Sequence, residues 1–410
     1  MSRGRLATNA SARRMTVLRR LVSLGCLLAV IAVADQQARD AIATTIKGLD
    51  LLPLRHAGVA LLHGASIYSD PRYVYPPTAA VALLPLSVGR YATTVDVWLV
   101  VSVVAVAAAG FLSMTPWRRG LWLLASVLAA GLMVKSDALT DTLWIGNVSL
   151  LLAPVAVGVL LLFEAQRWRT GTALLVLSLL IKPLLLPLIV LPLLRRQWQA
   201  VAQPVIAGGV LLGTAILLVP GGEHFFVVLR FLEDAGTLIG RAAVYNVSIR
   251  GLAERLDAAA WGSAARVVVV ASTAVAAYVW ARAPSRPGGT AAIGTLLMLA
   301  VILAGSLSED HYLLVAAPCL LTAIALGGRL SVLAAALPGL VLFAFPRHYL
   351  GNLGGSPQGL QVRYVLAELL LAMAAAVAVT HSVRGDPSET LSTPYVPPMS
   401  PLSAGGSISE

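Results

Sequence analysis

Residues 172–198 read TALLVLSLLIKPLLLPLIVLPLLRRQW. Between Thr172 and Leu194 the only charged side chain is Lys182, which Pro183 follows at once, and the run ends on Arg195-Arg196. Proline has no amide hydrogen and disfavours helix in the residue before it, so the chain breaks at Lys182. Two short helices joined at that break, apolar on every side, have no water-facing stripe. They read as a Pro-broken hairpin over 171–195 whose solvent is hydrocarbon.

The rest of the chain repeats the theme. Of its 410 residues, 58% are hydrophobic and only 12% charged, and the mean hydropathy is +0.83, a composition that no water-soluble surface carries. Apolar runs of roughly spanning length recur over 18–35, 93–114, 118–135, 148–163, 203–219, 265–282, 289–306, 311–327, 330–346 and 362–380. The expected fold is therefore all-α, a polytopic membrane bundle of about 11–13 transmembrane helices. No stretch is left over for a soluble catalytic domain.

The formal charge of +11 does not point to nucleic acid, because the arginines come as short clusters between apolar runs rather than along one face. Cys26 and Cys319 both sit in apolar segments, so neither a disulfide framework nor a metal site is expected. With a cytoplasmic N-terminal segment at 1–17, Arg118/Arg119, Arg167/Arg169, Arg195/Arg196, Arg282/Arg286, Arg329 and Arg384 all fall on one side in short loops. The opposite, outer side then receives the long loops 36–92 and 220–264 and nearly all the acids. The transmembrane domain covers 18–385, its first helix reading as an uncleaved signal anchor despite Ala32-Val33-Ala34, and 386–410 reads as a disordered cytoplasmic tail.

Function belongs on the acidic side. Asp50 opens an amphipathic stretch to Gly64, read as a helix in the outer interface with Leu51, Leu54, Gly58, Leu61 and Leu62 on one face and His56 and His63 on another. Its carboxylate reads either as an N-terminal cap or as a general base at the lipid-water boundary. The loop Ile67-Tyr68-Ser69-Asp70-Pro71-Arg72-Tyr73-Val74-Tyr75-Pro76-Pro77 reads as an interfacial aromatic belt or as a fixed scaffold beside an acceptor; the run from Pro77 to Val88 is too short for a full crossing. Lys182, at the hairpin tip, either snorkels or meets a phosphate. Ser306-Leu307-Ser308-Glu309-Asp310-His311-Tyr312 joins two spans with more ionisable groups than a turn needs; it reads either as a solvated loop or as a place where His311 binds or protonates a leaving phosphate. Trp144-Ile145-Gly146-Asn147 and Tyr245-Asn246-Val247-Ser248 add polar groups on the same side; both asparagines match the N-glycosylation pattern.

In their order and spacing these landmarks resemble glycosyltransferase family 87, membrane enzymes of the GT-C class that use polyprenyl-phosphate sugars. The landmarks are Asp50, Gly64 with Ile67-Tyr68, Tyr75-Pro76-Pro77, Gly146-Asn147, Lys182-Pro183 and His311-Tyr312. Within the family the likeness is closest to actinobacterial arabinofuranosyltransferases, through 70–77, Lys182-Pro183-Leu184-Leu185 to Trp198, and 245–249. Two departures stand out: a single acid at Leu49-Asp50 where two are usual, and a connector in the histidine form also found in α(1→2)-mannosyltransferases.

The resemblance implies an inverting transferase of the plasma membrane that moves arabinofuranose from decaprenyl-phosphoryl-arabinofuranose to a cell-wall arabinan, making α(1→3) branches. Polyprenyl-phosphate-mannose with a lipoglycan acceptor is the alternative. It implies Asp50 as base, Lys182 and His311 on the donor phosphate, and Tyr68, Arg72, Tyr75, Asn147, Asn246 and Tyr312 as positioning groups, with no cofactor. A transporter or flippase is the reading from another class; it calls for ionisable groups at the bilayer midplane, whereas here most lie at the edges.

Overall fold

The computed structural model describes residues 48–117, 122–230, 246–305, 308–344 and 357–384, together with single helical positions between 22 and 39. The N-terminal segment, most of the first candidate span, Arg118/Arg119, Tyr245, Ser306-Leu307 and the 386–410 tail lie outside the described residues. All the described elements are helical: α1 Leu51–Leu62, α2 Pro77–Ala82, α3 Tyr91–Met114, α4 Trp122–Lys135, α5 Asp137–Ile145, α6 Ser149–Glu164, α7 Trp168–Leu179, α8 Val190–Leu194, α9 Trp198–Leu218, α10 Ile249–Arg255, α11 Ala259–Arg282, α12 Gly289–Ala304, α13 Leu313–Gly327, α14 Leu330–Ala344 and α15 Pro357–Arg384.

Five helical segments are long and apolar enough to cross a membrane, Tyr91–Met114, Trp198–Leu218, Ala259–Arg282, Asp310–Gly327 and Gln361–Arg384, and a sixth results if the bent pair α4–α5 is one span. Five more apolar helices run 10–17 residues. At 1.5 Å per residue the 16-residue α6 and α12 rise about 24 Å, a turn or so short of the hydrocarbon core.

The layering follows burial. The segment Asp310–Gly327 is 78% buried and packs against α6, α12 and α15, whereas α9 and α11 are each only 17% buried. Those two outer helices leave Val210, Leu211, Leu217, Leu218, Val267 and Val268 exposed, a surface tolerable only against lipid.

The hairpin forms as expected. Helix α7 ends at Leu179, Lys182 is extended at φ −152° and ψ 127°, and a 3-10 run Pro183–Ile189 leads into α8. Pro77 to Val88 is a six-residue helix followed by the 3-10 turn Leu84–Ser87, the short piece its length implied. Helix α1 forms over the expected stretch with a slightly different inner face: Leu51, Pro53, Leu54, Ala57 and Gly58 are buried, while Leu62 is exposed.

Nothing along the chain set α5 apart from α4. Ser136 accepts the Leu139 amide as an N-terminal cap and the chain turns by 53° relative to α4. Arg363, fully buried on α15, holds this bent piece: it pairs with Asp137 at 2.9 Å and donates to the carbonyls of Leu342 at 2.6 Å and Phe343 at 3.3 Å. One guanidinium thus ties α5, α14 and α15 together, and its charge is matched where it is dehydrated.

The two ends of the bundle differ in chemistry. At one end Arg195 stacks on Trp280 at 4.2 Å and donates to Ala283, Gln166 reaches Ser285, and Arg329 meets His381. At the other end lie Asp50, Asn147, Lys182, Asn246 and the 308–312 connector, so the arginine-rich loops and the acidic landmarks are separated by the length of the helices.

Candidate active site

Helix α5 stops at Gly146, which takes φ +73°, the left-handed conformation that glycine adopts without a side-chain penalty. A Cβ there would stand 3.1 Å from Leu51 Cβ and 3.2 Å from Gly48 Cα, so the close approach of two loops also needs glycine. The amides of Gly48 and Asp50 donate to the carbonyls of Trp144 at 2.7 Å and Ile145 at 2.8 Å, docking the start of α1 on the end of α5. That docking sets Asp50 against Asn147.

Asn147 Nδ2 donates to Asp50 Oδ2 at 2.6 Å, and its Oδ1 accepts from Lys182 Nζ at 3.1 Å and from the Ser149 amide at 2.9 Å. Only this orientation of the amide gives the carboxylate a donor and the ammonium an acceptor. Lys182 Nζ also donates to Ser149 Oγ at 2.7 Å and lies 5.3 Å from the centre of the Tyr312 ring. Two of the three ammonium protons are thereby engaged, and one remains for a ligand oxygen.

Asp50 occupies the N-cap position of α1, yet its side chain makes no capping hydrogen bond. The capping reading therefore gives way, and the carboxylate turns to Asn147 instead. Burial pushes the Asp50 carboxyl above the usual carboxylate range, against which the Lys182 charge and the Asn147 donor both pull down.

The connector closes the site from the far side. His311 is fully buried, with its ring edge-on to Tyr312 at 4.4 Å. Its Nδ1 stands 3.1 Å from Glu309 Oε2, but off the hydrogen-bonding axis, and neither ring nitrogen makes a hydrogen bond. A buried imidazole with both nitrogens unsatisfied is an uncommon arrangement that a bound ligand would relieve. Burial raises the Glu309 carboxyl, Lys182 lowers it and Asp50 raises it, so the two acids and the lysine share one electrostatic environment.

The aromatic loop is a scaffold rather than an interfacial belt. Tyr73 and Tyr75 are buried, Tyr68 Oη donates to the Tyr75 carbonyl and Tyr73 Oη to the Pro76 carbonyl, both at 2.9 Å, and the rings of Tyr68, Tyr73 and Tyr75 follow one another at 5.2 and 5.8 Å. Tyr75 lies close enough to Asp50, Tyr312 and Glu309 for their charges to act on its hydroxyl.

Two expected positioning residues stand apart from this cluster. Arg72 is exposed and bound to Asp70 through two bonds of 3.0 and 2.8 Å; Asp70, which also meets His56 at 2.9 Å, is held well below the usual carboxylate range by that guanidinium. Asn246 is buried and accepts the amides of Ser248 and Ser308, with Gln361 donating to its carbonyl, so it shapes the connector that carries Glu309 and His311. Both glycosylation patterns are thus committed inside the protein. Ser149 and Glu309 had no assigned role in the sequence; the Asn-Val-Ser spacing that suggested a sugar acceptor in fact places Ser149 on Lys182.

Asn147→Ala is expected to move the ascending limb of the pH–rate profile to higher pH. A base works unprotonated, its activity rising as pH passes its pKa, and loss of the Asn147 donor lets that pKa climb further. A limb that stays in place would remove Asp50 as the titrating group.

A membrane helical bundle with a partly dehydrated carboxylate, a lysine and a histidine gathered at one end has the makings of an integral-membrane enzyme. Residues 73–307, more than half of the chain, match the family model of glycosyltransferase family 87, and the chain belongs to that family. It is 28% identical over 211 residues to the alpha-(1->3)-arabinofuranosyltransferase of Mycobacterium tuberculosis, covering 49% of this chain and 48% of that protein. The protein of the same name from Corynebacterium glutamicum is also 28% identical over 211 residues, 50% of this chain and 48% of its own length. The chain spans about half the length of the curated relatives it matches. No solved structure matches.

Proposed function

We propose that the protein transfers arabinofuranose from decaprenyl-phosphoryl-arabinofuranose to a cell-wall arabinan acceptor, forming α(1→3) branches with inversion. The observation that carries this reading is the Asn147 bridge. It holds Asp50 and Lys182 side by side without direct charge neutralisation, leaving a carboxylate oxygen for a proton and an ammonium proton for a phosphate.

Asp50 removes the proton of the attacking acceptor hydroxyl as that oxygen bonds to the anomeric carbon. The bond from that carbon to the donor phosphate oxygen breaks on the opposite face, and the electron pair leaves with the polyprenyl phosphate. Lys182 offsets the charge gained there and His311 meets it as a hydrogen-bond donor, and no other electrophile is called for in this scheme. Tyr75 and Tyr312 stand beside the same groups. An open depression of about 560 Å³ bordered by His56, His63 and Asp70 supports an acceptor approach along α1. The arginine bias of the other end supports placing this site on the outer face, with the termini in the cytoplasm.

The names of the relatives favour arabinose over mannose. The test offers purified protein decaprenyl-phosphoryl-arabinofuranose and polyprenyl-phosphate-mannose in parallel, with arabinan and lipoglycan acceptors. Consumption of the arabinose donor is expected. Use of mannose alone overturns the sugar, and use of neither overturns the transferase.

A further inference from the structure

At the arginine-rich end, the loop before α12 and the ends of α13, α14 and α15 border a cavity of about 160 Å³, with Arg286, Arg329, His381 and Ser382 in its wall and Ile324 and Ala378 among its apolar lining. The cavity lies far from the site described above. Helix α13 begins beside His311 and ends at the cavity, and its 15 residues rise about 22 Å on the way. Gln361 of α15 touches the Asn246 loop, whereas His381, twenty positions on in the same helix, borders the cavity about 30 Å away.

The geometry is built closely. Gly288 takes φ +81°, and a Cβ on it would come within 2.6 Å of the Ala323 carbonyl; one on Gly289 would meet Ser382 at 3.1 Å. The loop that carries Arg286 is therefore pressed onto the ends of α13 and α15, beside Arg329, whose Nη1 is 3.2 Å from His381 Nδ1. Among the described residues, no carboxylate lines the cavity. Glu164 stands across the first turn of α12, where its carboxylate accepts the Ala291 amide at 2.9 Å.

We infer that this cavity holds the phosphate of an anionic phospholipid headgroup. Two guanidiniums are half-buried around it, and arginine presents the planar donor fork that suits phosphate oxygens. A basic pocket between helix ends at headgroup depth selects lipid phosphate, and the apolar lining accepts the start of the glycerol and acyl chains. The site is separate from the proposed donor site and needs no sugar. Its occupant staples the ends of α13, α14 and α15, and α13 starts at its opposite end from the His311 connector.

Native mass spectrometry and thermal unfolding of the full-length protein in neutral detergent test this, with phosphatidylglycerol, phosphatidylcholine and inorganic phosphate as probes. Retention of phosphatidylglycerol over phosphatidylcholine is expected, with a raised Tm. The double variant Arg286→Gln/Arg329→Gln should bind phosphatidylglycerol about 30-fold more weakly, the loss of two surface-depth arginine contacts. Ala378→Leu fills the cavity with the charges kept and should abolish selective retention. Equal retention of both lipids by the wild type, or wild-type retention by either variant, overturns the inference. Stabilisation by inorganic phosphate equal to that by phosphatidylglycerol overturns the lipid as occupant.

Discussion

Asp50→Asn is expected to abolish sugar transfer, lowering turnover by about 10²- to 10⁴-fold, the range a positioned general base contributes. The substitution is nearly isosteric and leaves an oxygen to accept from Asn147 Nδ2, so the docking of α1 on α5 through Gly48 and Asp50 backbone amides survives. Expression, detergent Tm and retention of the lipid donor should therefore match the wild type. The assay is transfer of labelled sugar from polyprenyl-phosphate donor in membranes that contain equal amounts of each protein. Activity within a few-fold of wild type would mean that some other group takes the proton, and Glu309, in the same electrostatic environment, would be the next to examine.

Lys182→Ala should act on the donor rather than the acceptor. The ammonium that leaves is held by Asn147 and Ser149 and keeps one proton for a ligand; without it the charge arriving on the departing phosphate loses its closest cation. A drop of about 10²- to 10³-fold in kcat/KM for the donor is expected, with the acceptor KM nearly unchanged. The substitution has a second signature that a merely structural lysine would lack. Its charge lowers the Asp50 pKa, so its removal lets burial push that carboxyl higher, and the residual activity should need a higher pH. Donor kinetics indistinguishable from wild type would end the phosphate role.

The helical character of the chain, the break at Lys182-Pro183, the short piece after Pro77 and the gathering of arginines away from the acids are all legible along the sequence. Each depends on a property of neighbouring residues: hydropathy over a turn or two, a proline ring against the preceding backbone, the charge of a short loop. The landmarks Asp50, Lys182 and His311 were legible too, as the groups of an ordered family pattern. What they do to one another was not.

Asp50 read as well for a helix cap as for a base, and Arg72 read as part of the site, though it serves Asp70 on the surface. The tyrosine loop read either as an interfacial belt or as a scaffold, and only the burial of Tyr73 and Tyr75 inside the protein decides for the scaffold. Asn147 lies 97 positions from Asp50 and 35 from Lys182, and no periodicity or local propensity links residues so far apart. The sequence by itself thus determined that this is a membrane bundle with a basic end and an acidic end, because burial in lipid is dictated residue by residue. Only the tertiary structure decided that one amide would hold the carboxylate and the ammonium as a pair, because that requires Gly146, the α1–α5 docking and the broken hairpin to meet in space.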